Sequence, residues 1–322
     1  MNKRKIIYLW SPIVVGALLW MLTPARLHHM PEDIEVPRDI ATSLAASERT
    51  VADRFGLVPG TEKRITWISE GVRTPWSVVY LHGFSATRQE TAPLSGIVAQ
   101  ALGANLFETR LSGHGHQREA LANVSAEDWL RDAAEALAIG AAIGERVIVI
   151  GTSTGATLAA ALLDDPAMST VDTIVMLSPN FGPRDPAAAW LTRPAGPLLA
   201  RLLVGETRSW EPYNDDQGRY WSTSYPMAAA VEMMRLVGLA KRQLPGTITQ
   251  RLLLFYSPED SVISPTAALD VIERTGAPQK AMVEIGDPGD PSHHVLAGDI
   301  LSGGATQTIA DRIVEFISHP AP

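Results

Sequence analysis

Ser153, Asp260 and the pair His293-His294 have the types and chain order for one kind of chemistry, the activation of an alcohol as a nucleophile. Ser153 is the centre of Gly151-Thr152-Ser153-Thr154-Gly155, which follows the apolar run Val147-Ile148-Val149-Ile150 and opens the alanine-rich stretch Ala156-Thr157-Leu158-Ala159-Ala160-Ala161. A serine on a tight strand-to-helix turn takes a strained backbone, and small residues two places before and after it permit the close approach this requires. The turn lifts the hydroxyl clear of the sheet, and the helix N-terminus behind it favours developing negative charge.

A serine hydroxyl needs a base to take its proton and an acid to orient that base. After such a turn the acid and then the histidine follow the serine in the chain. Downstream of Ser153 the histidines are His293, His294 and His319, and His319 lies in the C-terminal tail. His293 and His294 sit in the loop beyond the last strand-like run, where a base reaches over strand ends. Asp260 comes four residues after the run Leu252-Leu253-Leu254-Phe255-Tyr256, within Ser257-Pro258-Glu259-Asp260. It is the expected acid, with Glu259 as the alternative; out of this context it would read as an ordinary turn aspartate. A tetrahedral oxyanion needs backbone donors. The expected pair is the Thr154 amide, next after the nucleophile, and the Phe84 amide in His82-Gly83-Phe84-Ser85, the loop after Val78-Val79-Tyr80-Leu81. His82 precedes the nucleophile and reads as a structural loop residue. His28-His29 and His114-Gly115-His116 lack a third ligand at zinc spacing, so no metal and no organic cofactor is expected.

Positioning these groups takes a sheet. Short runs rich in Val, Ile, Leu and aromatics fall at 64–69, 77–82, 104–109, 146–150, 173–177, 251–256 and 281–285, as expected of strands buried on both faces. Helical patterns fall between them at 90–102, 126–139, 154–163, 266–274 and 306–317, with a further helix at 40–55. Ser125 with Asp128 has capping-box spacing. The alternation predicts an α/β fold with a mostly parallel, doubly wound sheet. Residues 182–250 carry no strand-like run and are too long for a simple connection, which predicts an inserted subdomain with helices near 197–204 and 227–244. Its aromatics include Trp190, Trp210 and Trp221; they read mostly as a small core of the insert, with one or two facing a pocket for an apolar substrate group.

With 46% hydrophobic and 19% charged residues the chain can bury a substantial core. Its net charge of -8, with no basic run beyond the first five residues, gives phosphates nothing to bind and argues against a nucleic-acid partner. The absence of cysteine excludes disulfides, thiolate metal sites and a cysteine nucleophile. Residues 1–5 are basic and precede an uncharged segment, 6–23, with Trp10 and Trp20 near its two ends. It is long enough for a short span, and no small-x-small cleavage site follows it. The expectation is an uncleaved signal-anchor whose partner is the lipid bilayer. The basic end would face the cytoplasm and the catalytic domain the periplasm or exterior, in a single pass of the inner (cytoplasmic) membrane. Residues 24–38, rich in Pro, His and acid, read as a linker.

Taken in sequence, His82-Gly83-Phe84, Arg110-Leu111-Ser112-Gly113-His114-Gly115-His116, the 151–155 turn, Ser257-Pro258-Glu259-Asp260 and His293-His294-Val295-Leu296 resemble the landmarks of α/β-hydrolases. The branch they resemble holds monoacylglycerol lipases, bacterial carboxylesterases and serine aminopeptidase-like hydrolases, and the likeness covers about residues 60–318. The resemblance implies that His294, followed by Val-Leu, is the catalytic histidine. It also implies that 182–250 is a helical cap on a core formed by 39–181 and 251–322. The activity implied is hydrolysis of a small-molecule carboxylic ester, apolar or lipid-like, through Ser153, His294 and Asp260. The alternatives are a peptidase or amidase, an acyltransferase, or a ligand-binding scaffold of the same fold. The two threonines flanking Ser153, and the membrane segment, depart from the general pattern and leave the substrate open.

Overall fold

In the computed structural model of the chain, the described residues are 27, 28, 34–203, 205–244, 246 and 248–319. The expected basic end and membrane segment, 1–23, lie outside them. Among the described residues no helix is long and apolar enough to cross a membrane.

Strands buried on both faces build the centre. The strands are β1 (Arg64–Thr66), β2 (Thr74–Leu81), β3 (Asn105–Glu108), β4 (Gly144–Thr152), β5 (Val171–Leu177), β8 (Arg251–Tyr256) and β9 (Lys280–Glu284). They form one sheet in the order β1-β3-β2-β4-β5-β8-β9, parallel throughout except for the edge strand β1. Successive side chains point to opposite faces. Val147 and Val149 accordingly enter one core and Ile148 and Ile150 the other, as do Leu252 and Leu254 against Leu253 and Phe255. Helices α2 (Leu94–Leu102) and α9 (Gly303–Ser318) cover one face. Helices α3 (Ala126–Ile143), α4 (Thr154–Ala161) and α8 (Pro265–Glu273) cover the other. Ser125 and Asp128 cap α3 reciprocally: the Ser125 amide donates to Asp128 Oδ2 at 2.9 Å and the Asp128 amide to Ser125 Oγ at 3.2 Å.

Helix α1 (Ile40–Phe55) is tied to this unit by a buried ion pair. Arg110 donates through Nε and Nη2 to the two Glu48 oxygens, each at 2.8 Å. Of the expected linker, 24–38, the described residues are 27, 28 and 34–38. Leu27 is buried in the larger core and its carbonyl accepts from Arg242, and Ile34 and Val36 pack against the same core.

The insert also differs from expectation. It holds a 3-10 helix (Pro186–Thr192), α5 (Gly196–Leu203), α6 (Asp215–Tyr220) and α7 (Met227–Gln243). It also has two three-residue strands, β6 (Thr207–Ser209) and β7 (Ser224–Pro226), paired antiparallel. These strands are short and mostly polar, so no apolar run announced them. Nor do the aromatics form a core of their own. Tyr225 and the buried face of α7 join the larger core, Trp221 joins Ala86 and Val295, and Tyr213 is exposed. The expected helix at 90–102 begins only at Leu94; residues 88–93 are turns that turn Glu90 inward.

Candidate active site

The neighbouring strands β4, β5 and β8 end level with one another, with Thr152 opposite Leu177 and Leu177 opposite Phe255. Ser153 follows that row directly. Its φ of 50° and ψ of -112° lie where residues with a Cβ are strained. Its amide donates to Leu177 O at 2.8 Å, and its carbonyl accepts from the Asn180 amide at 3.3 Å and Thr157 Oγ1 at 3.1 Å. A Cβ at Gly155 would stand 2.0 Å from the Leu81 carbonyl oxygen, so glycine alone fits where α4 meets β2. The Ser153 side chain makes no cap hydrogen bond, which leaves its hydroxyl uncommitted to its own helix.

Asp260 lies four residues past β8, fully buried. Oδ1 accepts the Val262 and Ile263 amides at 2.8 and 2.9 Å, and Oδ2 accepts His294 Nδ1–H at 2.8 Å. With its proton on Nδ1, the ring keeps a basic lone pair on Nε2. Burial opposes charging of His294. The Asp260 carboxylate, with lesser help from Glu90 and Asp290, outweighs it and raises the pKa above 6.5. The loop bearing His294 is organised by Asp290, whose Oδ2 accepts the amides of His294 at 3.0 Å and Val295 at 2.8 Å. His293 has a φ of 54°, and its Nδ1 lies 3.2 Å from the Gly286 carbonyl. Glu259 is exposed and lies 4.0 Å from His293, not against His294.

Phe84 and Thr154, the expected oxyanion donors, lie in the loop after β2 and at the start of α4. Thr154 begins α4, where amides have no intrahelical acceptor. No described residue accepts from the Phe84 amide. Two neutral histidines brace the Phe84 loop. His82 accepts the Leu111 amide on Nε2 at 3.1 Å and donates from Nδ1 to Gly83 O at 2.9 Å. His114 accepts the Ser85 amide on Nε2 at 3.1 Å. Burial drives the pKa of His82 down to about 4 and that of His114 well below its ordinary value. His116 stacks on Phe55 at 4.5 Å between ring centres.

The expected aromatic lining separates into three cases. Trp221 is buried with Ala86 and Val295, between the Phe84 loop and the His294 loop, and the adjacent Ser222 amide donates to Ser85 O at 2.7 Å. Trp210 is half-buried beside it. Trp190 is not part of this cluster: it stands 54% exposed, with the Arg193 guanidinium 5.6 Å from its ring centre. Phe84 instead meets Tyr225 of the insert edge-to-face, with ring centres 4.9 Å apart. The contributions of Asp290, Tyr80 and Glu90 carry no sequence motif and emerge only in the fold.

A family model described as the alpha/beta hydrolase family matches residues 78–298. The chain belongs to that family. The match spans every residue of the site and leaves α1 and β1 outside it. Among solved structures, this alpha/beta hydrolase is similar to one from a study of the metagenome-derived lipolytic enzymes LipS and LipT, with 20% identity and a TM-score of 0.65, covering 81% of this chain and 99% of that one. It is also similar to the Paleococcus ferrophilus monoacylglycerol lipase, at 16% identity and a TM-score of 0.57, covering 80% and 98% of the two chains. A third is a soluble variant of the Saccharomyces cerevisiae monoglyceride lipase, at 11% identity and a TM-score of 0.61, covering 81% and 92%. At these identities the likeness is one of fold. A comparison with curated proteins yields no match.

Proposed function

We propose that this alpha/beta hydrolase is a serine esterase cleaving carboxylic esters with an apolar acyl group. The observation that carries the reading is the strained Ser153 turn at the end of β4, together with the buried 2.8 Å contact between Asp260 and His294. Ser153 Oγ attacks the acyl carbonyl as His294 Nε2 takes its proton, and Asp260 holds the imidazolium that forms. The amides of Phe84 and Thr154 stabilise the oxyanion. Collapse expels the alcohol, protonated by His294. Water then attacks the acyl-enzyme by the same base, releasing the acid and restoring Ser153.

The apolar substrate class is supported by Trp221 and Val295 beside the His294 loop, and by Leu198 and Leu202 exposed on the cap at 61% and 71%. The lipolytic enzymes and monoacylglycerol lipases of similar fold support it further. Residues 6–23 are proposed to anchor the chain in the cytoplasmic membrane, with the catalytic domain outside.

A fluorophosphonate probe and p-nitrophenyl esters of graded chain length test the reading, with aminoacyl amides alongside. The expected result is covalent labelling lost in Ser153→Ala, and ester turnover well above amide turnover. An unlabelled native chain would overturn it, and preferred amide cleavage would make it an amidase. Carbonate-washed membranes should retain the full chain and lose a chain lacking residues 1–23; a soluble full chain would overturn the anchor.

A further inference from the structure

Glu90 is a carboxylate that the mechanism above does not use, yet it stands where three parts of the site meet. It is 2% exposed. Its Oε2 accepts the Gly83 amide at 2.8 Å, so it holds the peptide just ahead of Phe84. The same oxygen accepts the Tyr80 hydroxyl at 3.2 Å, and that hydroxyl lies 3.2 Å from Oγ1 of Thr152, the residue before Ser153. The backbone of this turn receives the His294 loop: a Cβ at Gly298 would be 2.5 Å from the Glu90 carbonyl oxygen, and the Asp299 amide donates to Ala92 O at 2.9 Å.

We propose that Glu90 is a positioning residue for the Ser153 reaction, its buried carboxylate fixing the oxyanion loop through the Gly83 amide and favouring the cationic form of His294. The proposal rests on the esterase reading. The charged or titratable groups facing Glu90 are Tyr80 from β2 and His294 and Asp290 from the loop after β9. Burial makes its carboxylate costly and pushes its pKa up to about 7, while the Gly83 amide, the His294 charge and the Tyr80 hydroxyl favour ionisation. A buried carboxylate that gains an imidazolium neighbour as His294 takes the Ser153 proton is stabilised most when the barrier is crossed. That is differential binding of the transition state. Asp260 orients the ring from the Nδ1 side; Glu90 adds charge and holds the donor loop.

The test is Glu90→Gln in the full chain, because glutamine keeps an acceptor for Gly83 and loses only the charge. Its kcat should fall about tenfold with KM unchanged, and the acid limb of kcat/KM should move to lower pH as His294 loses a neighbouring negative charge. Its Tm at pH 8 should stay level or rise, because an ionised group no longer has to be buried. A merely structural role would instead lower Tm and leave the limb in place, and that outcome overturns the proposal, as does native kcat. Tyr80→Phe is the second variant. It removes a donor that favours the ionised form, so its loss of kcat should be largest near pH 7 and recover toward pH 9. A loss independent of pH, or none, overturns the proposal even where Glu90→Gln fails to fold. A native chain without fluorophosphonate labelling would remove the esterase reading and this inference with it. A labelled native chain matched by Glu90→Gln removes this inference alone.

Discussion

Asp260 and His294, thirty-four residues apart, meet through a 2.8 Å contact between Oδ2 and Nδ1, while the other Asp260 oxygen is held by two amides of its own turn. The carboxylate therefore cannot rotate away from the ring, and the ring cannot place its proton on Nε2 without losing the contact. Asp260→Asn keeps the shape but presents an amide that can donate to Nδ1, turning the lone pair away from Ser153. Ester kcat is expected to fall by a factor on the order of 10^4 in steady-state assays, with the fold retained. A variant within tenfold of the native rate would show that His294 does not work through this contact.

The elbow invites a steric test. At Gly155 an added methyl would meet backbone atoms of Leu81 at 2.0 and 2.5 Å, and backbone cannot turn aside as a flexible side chain can. Gly155→Ala should therefore push α4 off β2, cost about 3 kcal/mol in denaturant unfolding, and abolish labelling of Ser153. Native stability together with native labelling would mean that the close approach is not required.

These two cases mark what was legible in the sequence. The elbow was, because a steric demand writes glycine at fixed offsets and an apolar strand and an alanine-rich helix flank it. The strands buried on both faces were, because each needs an unbroken apolar run. The cap hairpin was not: Thr207–Ser209 and Ser224–Pro226 pair through backbone that any side chain permits. Spacing alone left His293 and His294 equivalent. The positive φ of His293, which turns its ring toward Gly286, is a property of the folded loop. Asp290, Tyr80 and Glu90 were invisible for the same reason, since each acts on partners that only the fold brings near.

Buried neutral histidines set the response of stability to acid. His82 and His116 have their pKa pushed down to about 4 by burial, and His114 is depressed too. Between about pH 4 and the ordinary 6.5 the unfolded chain binds protons at these sites that the folded chain refuses, so stability falls as pH falls through that window. Glu90 acts in the opposite sense, because its raised pKa lets the folded chain hold a proton up to about pH 7. The raised pKa values of Asp132 and His294 act with it, although the His294 contribution changes mostly above 6.5, outside this window. Tm should drop between pH 7 and pH 5. His116 carries both ring nitrogens buried without hydrogen-bond partners among the described residues and stacks on Phe55, so His116→Phe should keep the stack and reduce the drop. An equal drop in the variant would place the acid sensitivity elsewhere.

His294 titrates in the other direction, and its sign governs activity. Burial disfavours its charged form, but the Asp260 carboxylate, and after it Glu90 and Asp290, favour that form more strongly, so the folded pKa lies above 6.5. The stability this brings is complete below the unfolded value of about 6.5 and is lost as pH rises through the folded one. Catalysis needs the neutral ring, because only its free Nε2 can accept the Ser153 proton. The proton that stabilises the fold is therefore the one that blocks the reaction. The acid limb of kcat/KM for a neutral ester is expected above pH 6.5, and a pH-rate profile with a non-titrating substrate measures it. A limb well below 6.5 would mean that the three carboxylates around the ring do not outweigh its burial, and that the base works in a more open setting than the one Asp260 and Glu90 provide.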